Sequence, residues 1–382
     1  MNNIAVLTTS RSDYGLLENL LIKLEKSKKF NLHLIVSGTH LSKFYGNFFK
    51  DNIRDKFKNI HKIRIPINER MDDDNYSAWG VFFHKYSILL SKFNVGYLIL
   101  LGDRIETLLA AIVSHCKNIP IAHIGGGELT SGAIDNAFRH SISKMSNLHF
   151  VSEYDYYKRL LQLGERKKSI FMIGDPSVEL INNLKMKNKI TLEKELNFKF
   201  YKKNILVTYH PETLNLKNDE KYFLILLKFL KNLEDYRVIF TFPNSDPNSN
   251  KIIKLLIKYK KSNSNFIYFK EMGSLNYLST MQYCDFVLGN SSSGLSEAPI
   301  INIPTINFGS RQEGRIKAKS VFDSRPTLLS LNQAFSKVLN YIKKGKKKRN
   351  KTRSNFSKKL LNILEKKIDN TVMKKQFIDL NI

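Results

Sequence analysis

The sequence predicts an α/β protein built from two doubly wound domains that face each other across a cleft. Apolar segments of about four to six residues alternate with longer amphipathic segments, which is the pattern of parallel strands covered by helices on both faces. The chain has 382 residues and 42% hydrophobic content, more than one ordinary core requires and enough for two.

Each predicted strand is a short apolar run. These runs are Ile4–Leu7, Leu32–Val36, Tyr97–Leu101, Ile119–Ala122, Leu148–Val151, Ile205–Val207, Val238–Phe242, Phe286–Leu288 and Thr305–Asn307. The sequence texture changes at Gly174-Asp175-Pro176, before a second series of strands begins. We therefore expect one domain over residues 1–174 and another over 175–354. An amphipathic segment predicts a helix within 355–382, and the sequence does not indicate which domain it packs against.

The chain carries a formal net charge of +28, which is compatible with binding to nucleic acid or an anionic membrane. Lysine is nevertheless spread along the whole chain, and only residues 343–351 form a concentrated basic run. No basic motif interleaved with aromatic residues is present, so we predict neither a nucleic-acid nor a membrane partner. The lack of a long apolar run and of a signal-like start predicts a cytoplasmic protein. Cys116 and Cys284 are far apart and are interpreted as core residues.

Three predicted strands lead into polar turns that suit ligand binding. Residues 122–140 begin as a glycine-rich loop and continue into a helical pattern, residues 97–104 end on Asp103 and Arg104, and residues 285–297 contain Gly-Asn-Ser-Ser-Ser-Gly after the apolar run. Such turns lie beyond the carboxyl ends of parallel strands, where glycine permits close backbone approach. Serine hydroxyls and N–H groups at a helix start can hold phosphate. Each turn alone is also compatible with a purely structural role, but together they suggest a diphosphate site.

The ordered motifs resemble the hydrolysing UDP-N-acetylglucosamine 2-epimerases of sialic and legionaminic acid biosynthesis. The motifs are Thr9-Ser-Arg-Ser-Asp-Tyr14, Gly102-Asp-Arg104, His123-Ile-Gly-Gly-Gly-Glu128, Ile134-Asp135 with Arg139-His140, Tyr209-His-Pro-Glu212, Thr241-Phe-Pro-Asn244, Gly289-Asn-Ser-Ser292 with Glu297, and Gly309-Ser-Arg-Gln312. The resemblance implies two Rossmann-like domains in a glycosyltransferase B arrangement, a UDP-sugar substrate in the cleft, no cofactor, and a homo-oligomer, either dimer or tetramer.

The resemblance also implies roles for individual residues. The implied UDP-binding set is Arg11, Arg104, His210, Asn244, Ser291, Ser292, Glu297 and Arg311. Guanidinium groups match phosphate geometry, and Glu297 suits the two ribose hydroxyls as an acceptor. Taken singly, an arginine after a first strand could be a surface residue, and His210 could be a buried structural histidine. No metal site is predicted, because the acidic and histidine residues lack a recognised ligand spacing.

The implied reaction expels UDP from C1 with loss of the C2 proton, and then adds water and a proton to the resulting glycal. This requires cations at the diphosphate and carboxylates around C2. We expect Asp103, Glu128, Asp135 and a protonated or hydrogen-donating His210 to be the catalytic residues. Two carboxylates in different environments can divide acid and base work, and the sequence leaves the assignment open. Asp135 could alternatively cap a helix.

The chain departs from the resembled family at three positions, of which Gly125 matters most. Many members carry glutamate or histidine there, while Asn136 and Gly15 replace an acidic residue and a serine. Two alternatives stay open, a non-hydrolysing 2-epimerase and, given Gly125, a UDP-sugar-binding protein without catalysis. Against the first alternative, this chain lacks the Gly-Thr-Arg-Pro-Glu opening that is usual for non-hydrolysing enzymes. Its residues 10–14 read Ser-Arg-Ser-Asp-Tyr instead.

Overall fold

A computed structural model describes residues 2–42, 48–66, 76–244, 248–345, 354–368 and 375–379. Within these ranges thirteen strands form two parallel sheets, which confirms the predicted α/β class. The strands are β1 (Asn2–Thr8), β2 (Phe30–Val36), β3 (Ile60–Lys62), β4 (Tyr97–Leu101), β5 (Ile121–Ile124), β6 (Leu148–Val151), β7 (Ile170–Met172), β8 (Lys203–Thr208), β9 (Tyr236–Thr241), β10 (Phe266–Phe269), β11 (Phe286–Gly289), β12 (Thr305–Phe308) and β13 (Val321–Ser324).

Helices connect the strands and cover the sheets. They are α1 (Arg11–Glu25), α2 (Phe48–Asn52), α3 (Tyr76–Leu89), α4 (Ile105–Cys116), α5 (Asp135–Met145), α6 (Tyr154–Gln162), α7 (Pro176–Asn183), α8 (Lys189–Glu195), α9 (Asp219–Lys231), α10 (Ser249–Lys261), α11 (Gly273–Met281), α12 (Glu297–Ile301), α13 (Leu328–Lys343) and α14 (Phe356–Lys367). None of these described helices is long and apolar enough to cross a membrane.

Both sheets are doubly wound. The first has the order β3-β2-β1-β4-β5-β6-β7 and the second the order β10-β9-β8-β11-β12-β13. The winding direction reverses between β1 and β4, and again between β8 and β11. Ligands of open α/β sheets bind in the crevice outside the carboxyl ends of the strands at such a reversal. The turns that follow β1, β4, β8 and β11 are therefore the expected ligand-binding positions.

The two sheets define two lobes. We call residues 2–172 the N-lobe and residues 189–345 the C-lobe. The first sheet ends at Met172 and the second begins at Lys203, so the predicted boundary near Gly174 falls between them. Helix α7 links them, because Leu180 and Ile181 belong to a C-lobe core cluster while the helix also packs against α1. This linker holds the lobes against each other.

Helix α14 packs on the N-lobe, which answers the question that the sequence left open. Phe356, Leu360 and Leu364 are buried in the same hydrophobic cluster as β1 and α1. The buried carboxylate of Glu179 in α7 accepts hydrogen bonds from the N–H (3.0 Å) and hydroxyl of Ser357 at the start of α14. The chain thus returns from the C-lobe to the N-lobe. Residues 346–351 of the basic run lie outside the described residues.

Two sequence interpretations need correction. Strand β5 is shifted from the predicted Ile119–Ala122 to Ile121–Ile124, because Ile119 and the following proline belong to the turn after α4. The interpretation of both cysteines as core residues is wrong for Cys116, which is exposed at the end of α4, whereas Cys284 is buried. Four strands that the pattern did not predict, β3, β7, β10 and β13, are the edges of the two sheets.

Candidate active site

A cavity of about 420 Å³ lies between the lobes, at the carboxyl ends of the strands where both sheets reverse direction. Turns after β1, β4 and β5 form its N-lobe wall, and turns after β8, β9 and β11 form much of its C-lobe wall. The structure brings every sequence-predicted site residue to this cavity. Its lining includes Arg11, Asp103, Arg104, Glu128, Asp135, His210, Asn244, Ser291, Ser292, Glu297 and Arg311.

Arg139 organises the carboxylates of the N-lobe wall. Its side chain is buried, donates hydrogen bonds to the Asp103 carboxylate and to the Gly125 carbonyl (2.7 Å), and lies 3.4 Å from Glu128 Oε2. Burial alone would lower the pKa of Arg139, but Asp103, Glu128 and Asp135 together raise it above its ordinary value. A buried guanidinium surrounded by carboxylates is the arrangement in which such a charge is tolerated.

Sequence reasoning placed Arg139 in a motif without giving it a role. Its position four residues after Asp135 was the available signal, because residues at that spacing lie on one face of a helix. Both residues belong to α5 and both line the cavity.

A neutral histidine supports the turn that carries Asp103. His123 is fully buried, its Nε2 donates to the Gly102 carbonyl (2.8 Å), and its Nδ1 is paired with the Ser143 hydroxyl (3.0 Å). Burial lowers the pKa of His123 to about 3. The ring therefore stays neutral at neutral pH, and its two hydrogen bonds hold the Gly102–Asp103 turn in place.

Two acidic residues of the N-lobe occupy different positions at the starts of their helices. Asp13 forms a reciprocal capping box with Ser10 at the start of α1 and accepts from Thr9 N (3.0 Å). Asp135 is instead the first residue of α5, because Ile134 occupies the N-cap position. Its carboxylate lies in the first turn, where the helix dipole favours negative charge. The first-turn position is compatible with both roles that the sequence left open for Asp135, helix start and site carboxylate.

His210 joins the two central strands of the C-lobe at their ends. Its backbone N–H donates to Asn290 Oδ1 (2.7 Å), and Asn290 Nδ2 donates back to the His210 backbone carbonyl (2.8 Å). Its Nδ1 accepts from Asn244 N (3.1 Å), so the neutral ring carries its proton on Nε2. Burial, followed by the charges of Arg311 and Arg104, lowers the pKa of His210 well below its ordinary value. The hydrogen-donating form of the prediction fits this geometry, and the protonated form does not.

A chain of buried and half-buried hydroxyls runs beneath the serine turn after β11. Tyr277 Oη lies 2.7 Å from Ser293 Oγ, and the Ser293 hydroxyl donates to Ser291 Oγ (3.1 Å). Thr208 Oγ1 lies 3.3 Å from the same tyrosine oxygen. Burial raises the pKa of Tyr277 to about 12, so it remains a hydroxyl. This chain orients the Ser291 hydroxyl, and sequence reasoning missed both Tyr277 and Ser293 because their roles depend on tertiary contacts.

The turn that carries Arg311 is fixed from below by Glu212. The buried Glu212 carboxylate accepts from Ser310 N (2.8 Å) and from the Ser310 hydroxyl (2.7 Å). Gly309 has φ +89°, and a Cβ there would lie 2.1 Å from Glu212 Oε1. Only glycine suits this position, since both the backbone conformation and the close carboxylate exclude a side chain.

Glu297 and Arg11 line the cavity from different lobes. Glu297 Oε2 accepts from the Ser296 hydroxyl (2.6 Å), and burial raises its pKa. The Arg11 guanidinium forms an ion pair with Glu271 across the lobes, and both side chains are largely buried. Within the described residues, no group of three or more histidine, cysteine, aspartate or glutamate side chains is arranged to hold a metal ion.

Comparison with known proteins decides the family. Residues 22–362 match the UDP-N-acetylglucosamine 2-epimerase family. The chain belongs to this family. It is 41% identical over 339 residues to the GDP/UDP-N,N'-diacetylbacillosamine 2-epimerase (hydrolyzing) of Campylobacter jejuni, covering 88% of this chain and 87% of that protein. It is 30% identical to the UDP-N,N'-diacetylbacillosamine 2-epimerase (hydrolyzing) of Legionella pneumophila, covering 89% of each chain.

Solved structures show the same arrangement of two lobes. The UDP-GlcNAc 2-epimerase of Methanocaldococcus jannaschii, solved in complex with UDP-GlcNAc and UDP, matches with a TM-score of 0.79 and 20% identity, over 95% of this chain and 99% of that one. This confirms the predicted fold of two facing, glycosyltransferase B-like domains.

The three positions at which the sequence predicts a departure from the family each have a structural role. Gly125 has φ +81°, which favours glycine, and a Cβ there would face Glu128 Oε1 at 3.5 Å and Arg139 Nη1 at 3.6 Å. Asn136 Oδ1 accepts from Thr130 N (2.9 Å) and so closes the glycine-rich loop. A Cβ on Gly15 would lie 2.4 Å from Ser274 Oγ, so α1 and the C-lobe approach each other closely at this glycine.

Proposed function

We propose that this chain is a hydrolysing 2-epimerase, which releases a nucleoside diphosphate and the 2-epimerised free sugar from a nucleotide-linked 2-acetamido sugar. The observation that carries the proposal is the convergence of two chemically different walls on one cavity. One wall offers guanidinium, hydroxyl and N–H donors, and the other offers carboxylates. The relatives named as hydrolysing enzymes support the same reaction class.

In this proposal the donor-rich wall holds the leaving group. Ser291 and Ser292 hold the diphosphate at the turn after β11, and the His210 Nε2–H and Arg311 donate to its oxygens. Arg11 and Arg104 add positive charge from the N-lobe, and Asn244 lines the cavity beside His210. Glu297 accepts from the ribose hydroxyls. Donors already held in place stabilise the charge that develops as the C1–O bond breaks.

The carboxylate wall moves protons at C2. A carboxylate of the set Asp103, Glu128 and Asp135 removes the C2 proton, the C2–H electron pair forms the C1–C2 double bond, and the C1–O pair leaves with the nucleotide. Water then adds its oxygen to C1, and C2 receives a proton from the opposite face. The net change consumes one water and releases the nucleoside diphosphate. Arg139 holds Asp103 and Glu128 in fixed positions for these steps.

The proposed substrate is UDP-N,N'-diacetylbacillosamine, with UDP-N-acetylglucosamine as the alternative. The choice rests on the names of the relatives that are 41% and 30% identical. The first of those names also includes GDP, so the base of the nucleotide needs a direct test.

The test is incubation of the purified protein with each of three nucleotides, the UDP and GDP derivatives of diacetylbacillosamine and UDP-N-acetylglucosamine, in deuterated water. We expect nucleoside diphosphate and a free sugar with inverted configuration and deuterium at C2. A nucleotide-linked epimer would show the non-hydrolysing reaction instead. Tight binding of all three without release would show a binding protein and would refute the proposal.

Homo-oligomeric assembly and cytoplasmic location remain predictions from the sequence and the family resemblance. Light scattering of the purified chain and fractionation of cells that produce it would check them.

A further inference from the structure

Two loops from opposite lobes meet at the cavity. We call residues 128–134 the N-loop and residues 309–315 the C-loop. Ser131 N donates to the Glu313 carbonyl (3.1 Å). Beside this contact, Ile134 N donates to Thr213 Oγ1 (3.1 Å), which also belongs to the C-lobe. The N-loop is therefore hydrogen-bonded through its backbone to the opposite lobe.

Two glycines allow the loops to approach this closely. A Cβ on Gly132 would lie 2.4 Å from the Ser310 carbonyl oxygen and 2.7 Å from the Cα of Arg311. Gly314 has φ +83°, and a Cβ there would lie 2.9 Å from the Cβ of Leu129. Both close contacts at Gly132 are with backbone atoms, so a larger residue there would force the loops apart.

Next to the contact between the two loops, Arg315 of the C-loop forms an ion pair with Glu128, a predicted catalytic carboxylate. Arg315 Nη2 lies 3.0 Å from Glu128 Oε2, and the two side chains are only 16% and 19% exposed. Arg139 Nη1 approaches the same oxygen at 3.4 Å from the N-lobe side. Glu128 is thus held between one guanidinium from each lobe, and the second guanidinium is available only while the loops touch.

The C-loop is also part of the nucleotide-binding wall. It carries Arg311, it is fixed to Glu212 through Ser310, and Gln312 Nε2 donates to the Asn290 carbonyl (2.9 Å). Asn290 is in turn hydrogen-bonded to His210. Hydrogen bonds and the C-loop backbone therefore connect the diphosphate-binding residues to Arg315 and, through its ion pair, to Glu128.

We propose that Arg315 is a positioning residue that sets Glu128 for proton transfer when the lobes close, and so couples nucleotide binding in the C-lobe to the carboxylate chemistry of the N-lobe. The inference rests on the proposed function, because it takes Glu128 as one of the reacting carboxylates. Charge-assisted pairs between partly buried groups fix geometry well, and closing lobes complete many catalytic sites in this way.

The test compares Arg315→Gln with Arg325→Gln, an exposed arginine that follows β13. We expect R315Q to lower kcat for nucleotide release about 100-fold while the Kd for UDP changes less than about 3-fold, since misplacing a reacting group affects the chemical step more than binding. R325Q should match the wild type. R315K should recover part of the loss, because it keeps the charge without the planar fork.

A second variant tests the loop contact itself. Gly132→Ala should separate the loops and lower kcat like R315Q, and the double variant should lose little more than either single one, because both changes break the same coupling. Hydrogen exchange adds a readout without catalysis. UDP should protect the Ser131 amide in the wild type, and both single variants should lose that protection. Thermal unfolding shows whether each variant is folded.

The outcomes separate the two proposals. Wild-type kcat in R315Q, or an equal loss of kcat and UDP affinity, would overturn the positioning role. If the wild type releases no nucleotide from any substrate, the hydrolysing function fails. In that case, Arg315-dependent protection of Ser131 by UDP would still support the coupling of the loops, and protection that does not depend on Arg315 would refute it.

Discussion

The two walls of the cavity are built by different chemistry. The N-lobe wall depends on ion pairs, in which the buried Arg139 lies between Asp103 and Glu128. The inner part of the C-lobe wall depends on neutral groups, with His210 held by Asn244 and Asn290 and the Ser291 hydroxyl held by a chain of hydroxyls. The arginines of the nucleotide-binding set line the same cavity.

The difference reflects what each wall has to do. A diphosphate brings its own charge, so neutral donors and helix-start N–H groups can bind it together with the arginines of the cavity. Proton transfer at C2 requires carboxylates inside the cavity, and these are tolerated there only when paired. The N-lobe wall should therefore be the more sensitive of the two to the removal of a charge.

The largest effect is expected at Arg139. Arg139→Lys keeps the charge but cannot contact Asp103, Glu128 and the Gly125 carbonyl together, so we expect kcat to fall about 100-fold to 1,000-fold, as for the loss of a preorganised electrostatic contact. Arg139→Met should in addition lower the free energy of unfolding by about 3–5 kcal/mol, because Asp103 loses the guanidinium that it pairs with and Glu128 keeps only Arg315. Steady-state kinetics and urea unfolding measure the two effects.

Arg237→Lys is the matched control. Arg237 also donates to backbone carbonyls, those of Lys199 and Ser264, but it is absent from the cavity lining. If R139K kept the wild-type kcat, the N-lobe wall would not depend on this ion-pair network and the contrast between the walls would fail.

An intermediate effect is expected at His210, the neutral centre of the C-lobe wall. His210→Asn keeps an acceptor for Asn244 N–H but removes the Nε2–H donor, so binding of a nucleotide sugar should weaken about 10-fold to 100-fold. Because burial, Arg311 and Arg104 hold the pKa of His210 well below its ordinary value, the wild type should bind with constant affinity between about pH 6 and 8.

UDP-glucose is a suitable probe for this measurement, since its diphosphate diester keeps a constant charge over that range and its sugar lacks the 2-acetamido group. Calorimetry at several pH values gives the Kd. A protonating histidine would strengthen binding to the anionic ligand as the pH falls. If the affinity for UDP-glucose rises below about pH 7 in the wild type but not in H210N, His210 is cationic. That result would remove the contrast between the walls.

The fold was predictable from the sequence except at the edges of the sheets. Central strands such as β1 have five buried residues and appear as apolar runs. Edge strand β3 has no buried residue, and β13 has one. An edge strand contacts one neighbour only and needs fewer apolar residues, so its pattern resembles that of a loop. The doubly wound class, by contrast, followed from the regular alternation of strands and helices.

The site was predictable where residues belong to motifs and unpredictable where they act through partners. Residues such as Arg11 and Ser291 follow strand ends directly, and the doubly wound fold carries them to the cavity. Arg315 and Tyr277 contact Glu128 and Ser293, residues that are 187 and 16 positions away in the chain. Nothing in the local sequence distinguishes these two from ordinary surface or core residues.

The smallest effect is expected from Tyr277, and it tests whether the hydroxyl chain acts as a unit. Tyr277→Phe removes one hydrogen bond to Ser293 and leaves the Ser293–Ser291 contact, so UDP affinity should fall only about 2-fold to 10-fold. Ser293→Ala should have a similar effect. The double variant should fall short of the product of the two losses, because both changes act on the same Ser291 hydroxyl. Tyr154→Phe, at an exposed tyrosine outside the cavity lining, is the control. Independent, fully additive losses would mean that Tyr277 and Ser293 contact the wall separately, and that Ser291 is oriented by its turn alone.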